Sequence, residues 1–377
     1  MASFAMWFYR RLALIAWIGF LPASAPGETL VYFGTYTGAK SQGIYFSRLD
    51  AETGRLSAPG LAAETVNPSF LAVHPSGRFL YAVNEVSEIE GEAAGSASAF
   101  AIDRSTGRLR LLNRSSSRGR GPCYLSLDRT GRNLLLANYE GGSVAVLPVA
   151  DDGRLGPAVS FVQHKGTRAP HAHSIDVDAA NRFVLAADLG LDRVYVYRFD
   201  ATTGRLAENA PVFASVDPGA GPRHVALHPD GGFAYVLNEL SMTLTAMRYD
   251  PERGTLSTVQ TISSLPEGVA VAPDFSGAEV LFHPGGRFLY ASNRGHDTIA
   301  VFAVDEVGGT LRLLEHEPTG GRTPRGFGID PSGKFLLAAN QDSDTVVVFR
   351  IDQASGLLSP AGETVEVGSP VTVAFVK

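Results

Sequence analysis

One short signature returns seven times along this chain at nearly even spacing, and it limits the fold more than any other feature. Gly-x-Leu stands at Gly54-Arg55-Leu56, Gly107-Arg108-Leu109, Gly153-Arg154-Leu155, Gly204-Arg205-Leu206, Gly254-Thr255-Leu256, Gly309-Thr310-Leu311 and Gly356-Leu357-Leu358, at intervals of 46 to 55 residues. A second signature runs out of phase with it, as His74-Pro75-Ser76-Gly77-Arg78-Phe79, His228-Pro229-Asp230-Gly231, His283-Pro284-Gly285-Gly286-Arg287-Phe288 and Asp330-Pro331-Ser332-Gly333-Lys334-Phe335. Self-similarity at this period marks a propeller or a solenoid. Length alone, 377 residues, would otherwise imply two or three domains.

Between the signatures lie short runs rich in Val, Ile, Leu, Phe and Tyr, such as Arg193 to Phe199 and Thr345 to Phe349. Bounded by Gly, Pro, Asp and Asn, they read as β-strands, about four to each unit. The first unit supplies second, third and fourth strands (about Leu30 to Ala63) but no first. The C-terminus supplies a lone first strand, Val371 to Phe375, after Pro370. Joining the two completes a ring. The expected fold is all-β: a seven-bladed β-propeller of four-stranded blades over residues 28–377, closed by the C-terminal strand joining the N-terminal blade.

The first 27 residues read differently. Arg10 and Arg11 precede an apolar run from Leu12 to Leu21, and small residues follow through Gly27. This is the layout of a secretory signal peptide, with cleavage after Ala25 or Gly27 and either general or twin-arginine export. The run is too short to span a bilayer. The expected location is periplasmic or secreted, with no membrane attachment after leader cleavage. Net charge is −6, so nucleic acid and anionic membranes are not attracted by the chain as a whole. The single Cys123 has no intrachain partner and reads as a small buried hydrophobe.

Neighbouring first and second strands are antiparallel, so residues leading into the first and leaving the second share one end of the ring. Leading in are His171 and His173 after Pro170, Arg223 and His224 after Pro222, Glu279, and Arg325 after Pro324. Leaving are Glu85, Glu140, Asp188, Glu239, Arg294 and His296, beside recurrent Asn residues expected to cap turns by bonding backbone amides. Ionisable groups from several blades therefore converge on one mouth of the central channel, the default place for a site. His74, His228 and His283 fall in repeated turns at the far end and read as structural.

Several motifs resemble those of the seven-bladed propeller lactonase family, the cycloisomerase 2 family, which includes 6-phosphogluconolactonases and fungal carboxymuconate lactonizing enzymes. They are Phe33-Gly34-Thr35-Tyr36-Thr37, Asn67-Pro68-Ser69, Pro170-His171-Ala172-His173, Gly221-Pro222-Arg223-His224, Leu237-Asn238-Glu239, Ser292-Asn293-Arg294-Gly295-His296-Asp297 and Pro324-Arg325-Gly326. The resemblance implies a catalytic set of His173 (with His171 as the alternative), Arg223, Glu239 and Arg294, flanked by His171, His224, Glu85, His296 and Arg325 as substrate-binding residues. It implies hydrolysis of a sugar lactone, a 6-phosphogluconate-type lactone among the candidates. Glu239 or His173 would take a proton from water, and the arginines would hold the oxyanion or a substrate anion. A muconate-type cycloisomerase and a non-catalytic binding or scaffold propeller are the alternatives. A metal-dependent lactonase using His171, His173, His224 and Glu239 is a further rival, although zincin and EF-hand spacings are missing. No cofactor is expected, the partner is a small-molecule lactone, and the chain is expected to act as a monomer.

Overall fold

In the computed structural model, residues 27–89, 91–362 and 364–376 are described; the leader expected at the N-terminus lies outside them, apart from Gly27. Seven antiparallel sheets follow one another around an axis, and each runs from an inner first strand to an outer fourth. Blade 1 joins the C-terminal strand Pro370–Phe375 to Glu28–Thr35, Gly43–Asp50 and Gly60–Glu64. The pairing Val31↔Phe375 through Gly34↔Thr372 closes the ring as expected. Blades 2 to 7 begin at Leu71, Pro122, Ala172, Pro222, Ser276 and Pro324. Blade 7 gains a fifth, two-residue strand, Val365–Glu366. Among the described residues the only helical piece is the 3-10 turn Gln341–Ser343, and no helix is long and apolar enough to cross a membrane.

Each blade is covered on both faces by its neighbours, so second strands are largely buried, and wholly so in Phe233–Asn238 and Phe335–Asn340. The apolar core is accordingly divided into seven clusters, one at each blade interface. The closing interface packs Val31, Phe33 and Leu49 of blade 1 against Phe335, Leu337, Val346 and Val348 of blade 7. A large side chain of this kind contributes roughly 2–3 kcal/mol by burial, and closure places both chain ends under that constraint.

The two repeated signatures meet across these interfaces. The glycine of Gly-x-Leu sits beneath an aromatic ring of the preceding blade: Gly153 under Phe79, Gly254 under Phe183, Gly309 under Phe233, Gly356 under Phe288 and Gly54 under Phe335. At Gly309 a Cβ would fall 2.2 Å from the Phe233 ring, and the backbone has φ +76°. Only glycine meets both demands. The carbonyls of Gly107, Gly153, Gly309 and Gly356 accept hydrogen bonds from Tyr32, Tyr81, Tyr235 and Tyr290 at 2.8–3.0 Å. Repeat length is thus set by an inter-blade lock.

The turn histidines are structural, as read from sequence: His74 and His283 reach the carbonyls of Gly131 and Gly333 in the next blade. The strand-end asparagines differ from expectation. Rather than accepting from turn amides, Asn84, Asn138, Asn293 and Asn340 donate Nδ2 to carbonyls of Val66, Ser117, Ser264 and Thr319. They clasp the connection arriving from the previous blade, whose carbonyls would otherwise be buried unpaired.

Candidate active site

First strands line the channel, and most of them break register at one place. The ladder skips Cys123 between Pro122 and Tyr124, His173 between Ala172 and Ser174, Arg223 between Pro222 and His224, and Arg325 between Pro324 and Gly326. In blade 6 the shift spans Ala278 and Glu279. A bulge re-aims the side chain of the extra residue, and proline at a strand start donates nothing to the ladder there. The chain uses this one device in these five blades to gather groups at one mouth, and a like shift skips Val371 between Pro370 and Thr372 in blade 1.

The centre is an ion triad. Glu239, leaving the second strand of blade 5, sets Oε2 at 2.9 Å from Arg223 Nε and Oε1 at 3.0 Å from Arg294 Nη2. The Arg223 contact is Coulombic, because its N–H is not aligned for a hydrogen bond. Arg294 also donates Nη2 to the Gly277 carbonyl at 3.0 Å, and its buried Nε has no hydrogen-bond partner among the described residues. Burial opposes ionisation of Glu239, but the guanidiniums of Arg223, Arg294 and Arg325 outweigh it and hold the carboxyl below its usual range. Burial, aided by Arg223, brings Arg294 down to about 10, so it remains a cation at neutral pH.

His173 is 4% exposed beside this triad. Its Nδ1 lies 3.7 Å from Cys123 Sγ, and its ring meets Tyr139 and His224 edge-on at 5.3 and 5.2 Å. Burial first, then Arg223, His224 and Arg325, push its pKa well below the usual histidine value, so the imidazole is neutral. Cys123 is buried as expected, and burial pushes its thiol far up.

On the other side of the mouth Arg325 donates to the Tyr36 hydroxyl at 2.9 Å, and that hydroxyl donates to Glu85 Oε2 at 2.9 Å. Ser69 donates to the same carboxylate oxygen. His224 and Glu279 lie deeper, 2.7 Å apart. A small cavity is lined by Ser69, Glu85, Cys123, Arg223, His224, Glu279 and Arg325.

The structure therefore brings together His173, Arg223, Glu239, Arg294, His224, Arg325 and Glu85 from the inner ends of five of the seven blades. His171 stands one ring behind, stacked on Tyr139 at 4.7 Å with Nδ1 on the Tyr139 carbonyl. His296 turns instead toward Thr298, Phe275 and His316 in the outer part of blade 6. Glu140 pairs with Arg120 at 3.2 Å near the surface. The four donors of the metal rival are not gathered: both nitrogens of His224 and both oxygens of Glu239 are engaged elsewhere. Tyr36 and Ser69 are members that residue type alone did not single out, and Glu279, placed at the mouth by its position, was not among the expected site residues. Tyr36 and Ser69 do fall inside motifs that carry the resemblance.

Fold and mouth together define a propeller enzyme with a charged site at one end of its channel. The chain belongs to the lactonase family: the family model described as Lactonase, 7-bladed beta-propeller, matches residues 30–375. A 6-phosphogluconolactonase of Bacillus subtilis is 37% identical over 305 residues, 79% of this chain and 84% of that protein. A 6-phosphogluconolactonase of Formosa agariphila is 33% identical over 80% of this chain and 86% of that protein. Among solved structures, the periplasmic gluconolactonase of Pseudomonas aeruginosa superposes with a TM-score of 0.86 at 36% identity, over 93% of this chain and 99% of that one.

Proposed function

We propose that this chain is an exported lactonase that opens an unphosphorylated sugar lactone, as the periplasmic Pseudomonas neighbour's name describes for that protein. The observation that carries the reading is the Arg223–Glu239–Arg294 triad set beside neutral His173 at one mouth. Water attacks the lactone carbonyl while His173 takes one of its protons. Arg223 and Arg294 stabilise the resulting oxyanion, and Glu239 holds the two guanidiniums in place against mutual repulsion. Collapse breaks the ring C–O bond, and the leaving alkoxide receives the proton from His173, giving the open hydroxy acid. Both carboxylate oxygens of Glu239 are held by guanidiniums, whereas His173 is a neutral imidazole without a carboxylate partner, which favours His173 over Glu239 as the base. Preorganised donors of this kind contribute roughly 3–4 kcal/mol each to a developing oxyanion.

Charge balance supports a neutral substrate. Arg223, Arg294 and Arg325 are matched by Glu239, Glu85 and Glu279, and His173 beside them is neutral. Among the described residues at the mouth no surplus positive charge is left for a phosphate dianion, which must otherwise be desolvated without compensation. The N-terminal leader reading agrees, since phosphorylated sugars are metabolites of the cell interior. Initial hydrolysis rates on gluconolactone and its 6-phosphate, side by side, test the proposal: faster turnover of the unphosphorylated lactone supports it, and a strong preference for the phosphate overturns it.

A further inference from the structure

We infer that Glu279 and His224 form a positioning device that fixes the guanidinium of Arg223 and leaves Nη2 free for substrate; this rests on the lactonase reading above. Arginine can only donate, so the 2.8 Å contact of Arg223 Nη1 with His224 Nε2 requires a lone pair on Nε2. The imidazole proton then sits on Nδ1, which donates to Glu279 Oε1 at 2.7 Å. Glu279 is itself pinned: Oε1 accepts from Val280 N, and its backbone N–H donates to Ser292 Oγ, both at 2.9 Å. Arg223 Nη1 also donates to the Ala278 carbonyl, and Nε faces Glu239. Among the described residues Nη2 donates to no protein group and is not sealed off.

This arrangement makes the charge state of His224 decisive. Protonation of Nε2 would set an N–H against the Arg223 donor and displace the guanidinium. His224 is enclosed by Arg223, Arg325, Glu279, His173, Tyr124 and Cys123, with Phe70 edge-on and Glu85 across the small cavity. Burial lowers its pKa below the usual histidine value; Glu279 acts against that shift, and Arg223 and Arg325 reinforce it. His173 is likewise held below its usual value, by burial first and then by Arg223, His224 and Arg325. Protonation of His224 on falling pH breaks its bond with Arg223, and the acid limb of turnover belongs to that event.

The test is kcat and KM against pH on gluconolactone for wild type, His224→Phe, His224→Gln and Glu279→Gln. His224→Phe removes the acceptor and lowers kcat about tenfold or more, with a much smaller change in KM. His224→Gln offers an amide oxygen to Arg223, recovers most of that loss and moves the acid limb to lower pH. Glu279→Gln, close in shape to the native residue and so the safeguard against misfolding, removes the anion and also moves the limb to lower pH. Wild-type turnover in His224→Phe, or an acid limb unmoved in both glutamine variants, overturns the inference. A wild-type enzyme inert on every lactone overturns the lactonase reading instead, so the two failures are distinct.

Discussion

Arg223, entering the first strand of blade 5, and Glu239, leaving the second, share the open end of one hairpin and meet at 2.9 Å over the channel mouth, with Arg294 of blade 6 on the carboxylate's other oxygen. Two cations thus depend on one anion in a largely buried setting. Glu239→Gln removes that anion while keeping its shape. We expect a loss of stability of roughly 3 kcal/mol, as for one partner of a buried pair, read as a lower urea midpoint, together with loss of lactone hydrolysis.

Arg223→Ala removes one cation of the triad and leaves Glu239 paired with Arg294 alone. Turnover is expected to fall by about a hundredfold or more. Steady-state kinetics on the lactone the wild type hydrolyses measure this, and an unchanged rate would remove Arg223 from the mechanism.

How far the sequence carried this account follows from the scale of each signal. The fold was legible because the Gly-x-Leu glycines and the Arg-Phe turns are two halves of one inter-blade contact, repeated until it became a pattern. Closure was legible from a missing first strand and a spare one. The bulges at Cys123, His173, Arg223 and Arg325 were not, because register is decided by pairing between strands; only the preceding prolines hinted at them. Glu279 was recognisable as a residue facing the mouth, but its bond to His224 joins neighbouring blades 55 positions apart. His296 has the right position in the chain, yet a bond to Thr298 Oγ1 two residues on carries it outward.

Asp176 supplies a pH test outside the mouth. It lies in the other half of the channel, accepting from the Tyr124 hydroxyl at 3.0 Å, and burial pushes its pKa up to about 7. Between its ordinary value of 3.8 and about 7 the native protein keeps a proton that the unfolded chain releases. Stability from this group therefore falls as pH rises through that window. Asp176→Asn keeps an acceptor for Tyr124 and should be more stable than wild type at pH 8, on the order of 2 kcal/mol. The gap should close below pH 4. Urea titrations at the two pH values give the comparison; an equal gap at both would refute the assignment.

Gly309→Ala probes the lock that sets the repeat. It places a Cβ 2.2 Å from the Phe233 ring on backbone at φ +76°, so a loss of about 1–3 kcal/mol is expected. Because the contact lies at the far side of the blade from the mouth, kcat at a temperature where the variant is folded should stay close to wild type. Denaturation midpoint and turnover, measured on one preparation, separate the two effects.

The most direct measurement is a crystal structure with the open aldonate product bound. The account predicts the product carboxylate against Arg223 and Arg294, within reach of His173. A product seated beside Tyr124 and Asp176 in the other half of the channel, with the triad untouched, would contradict it.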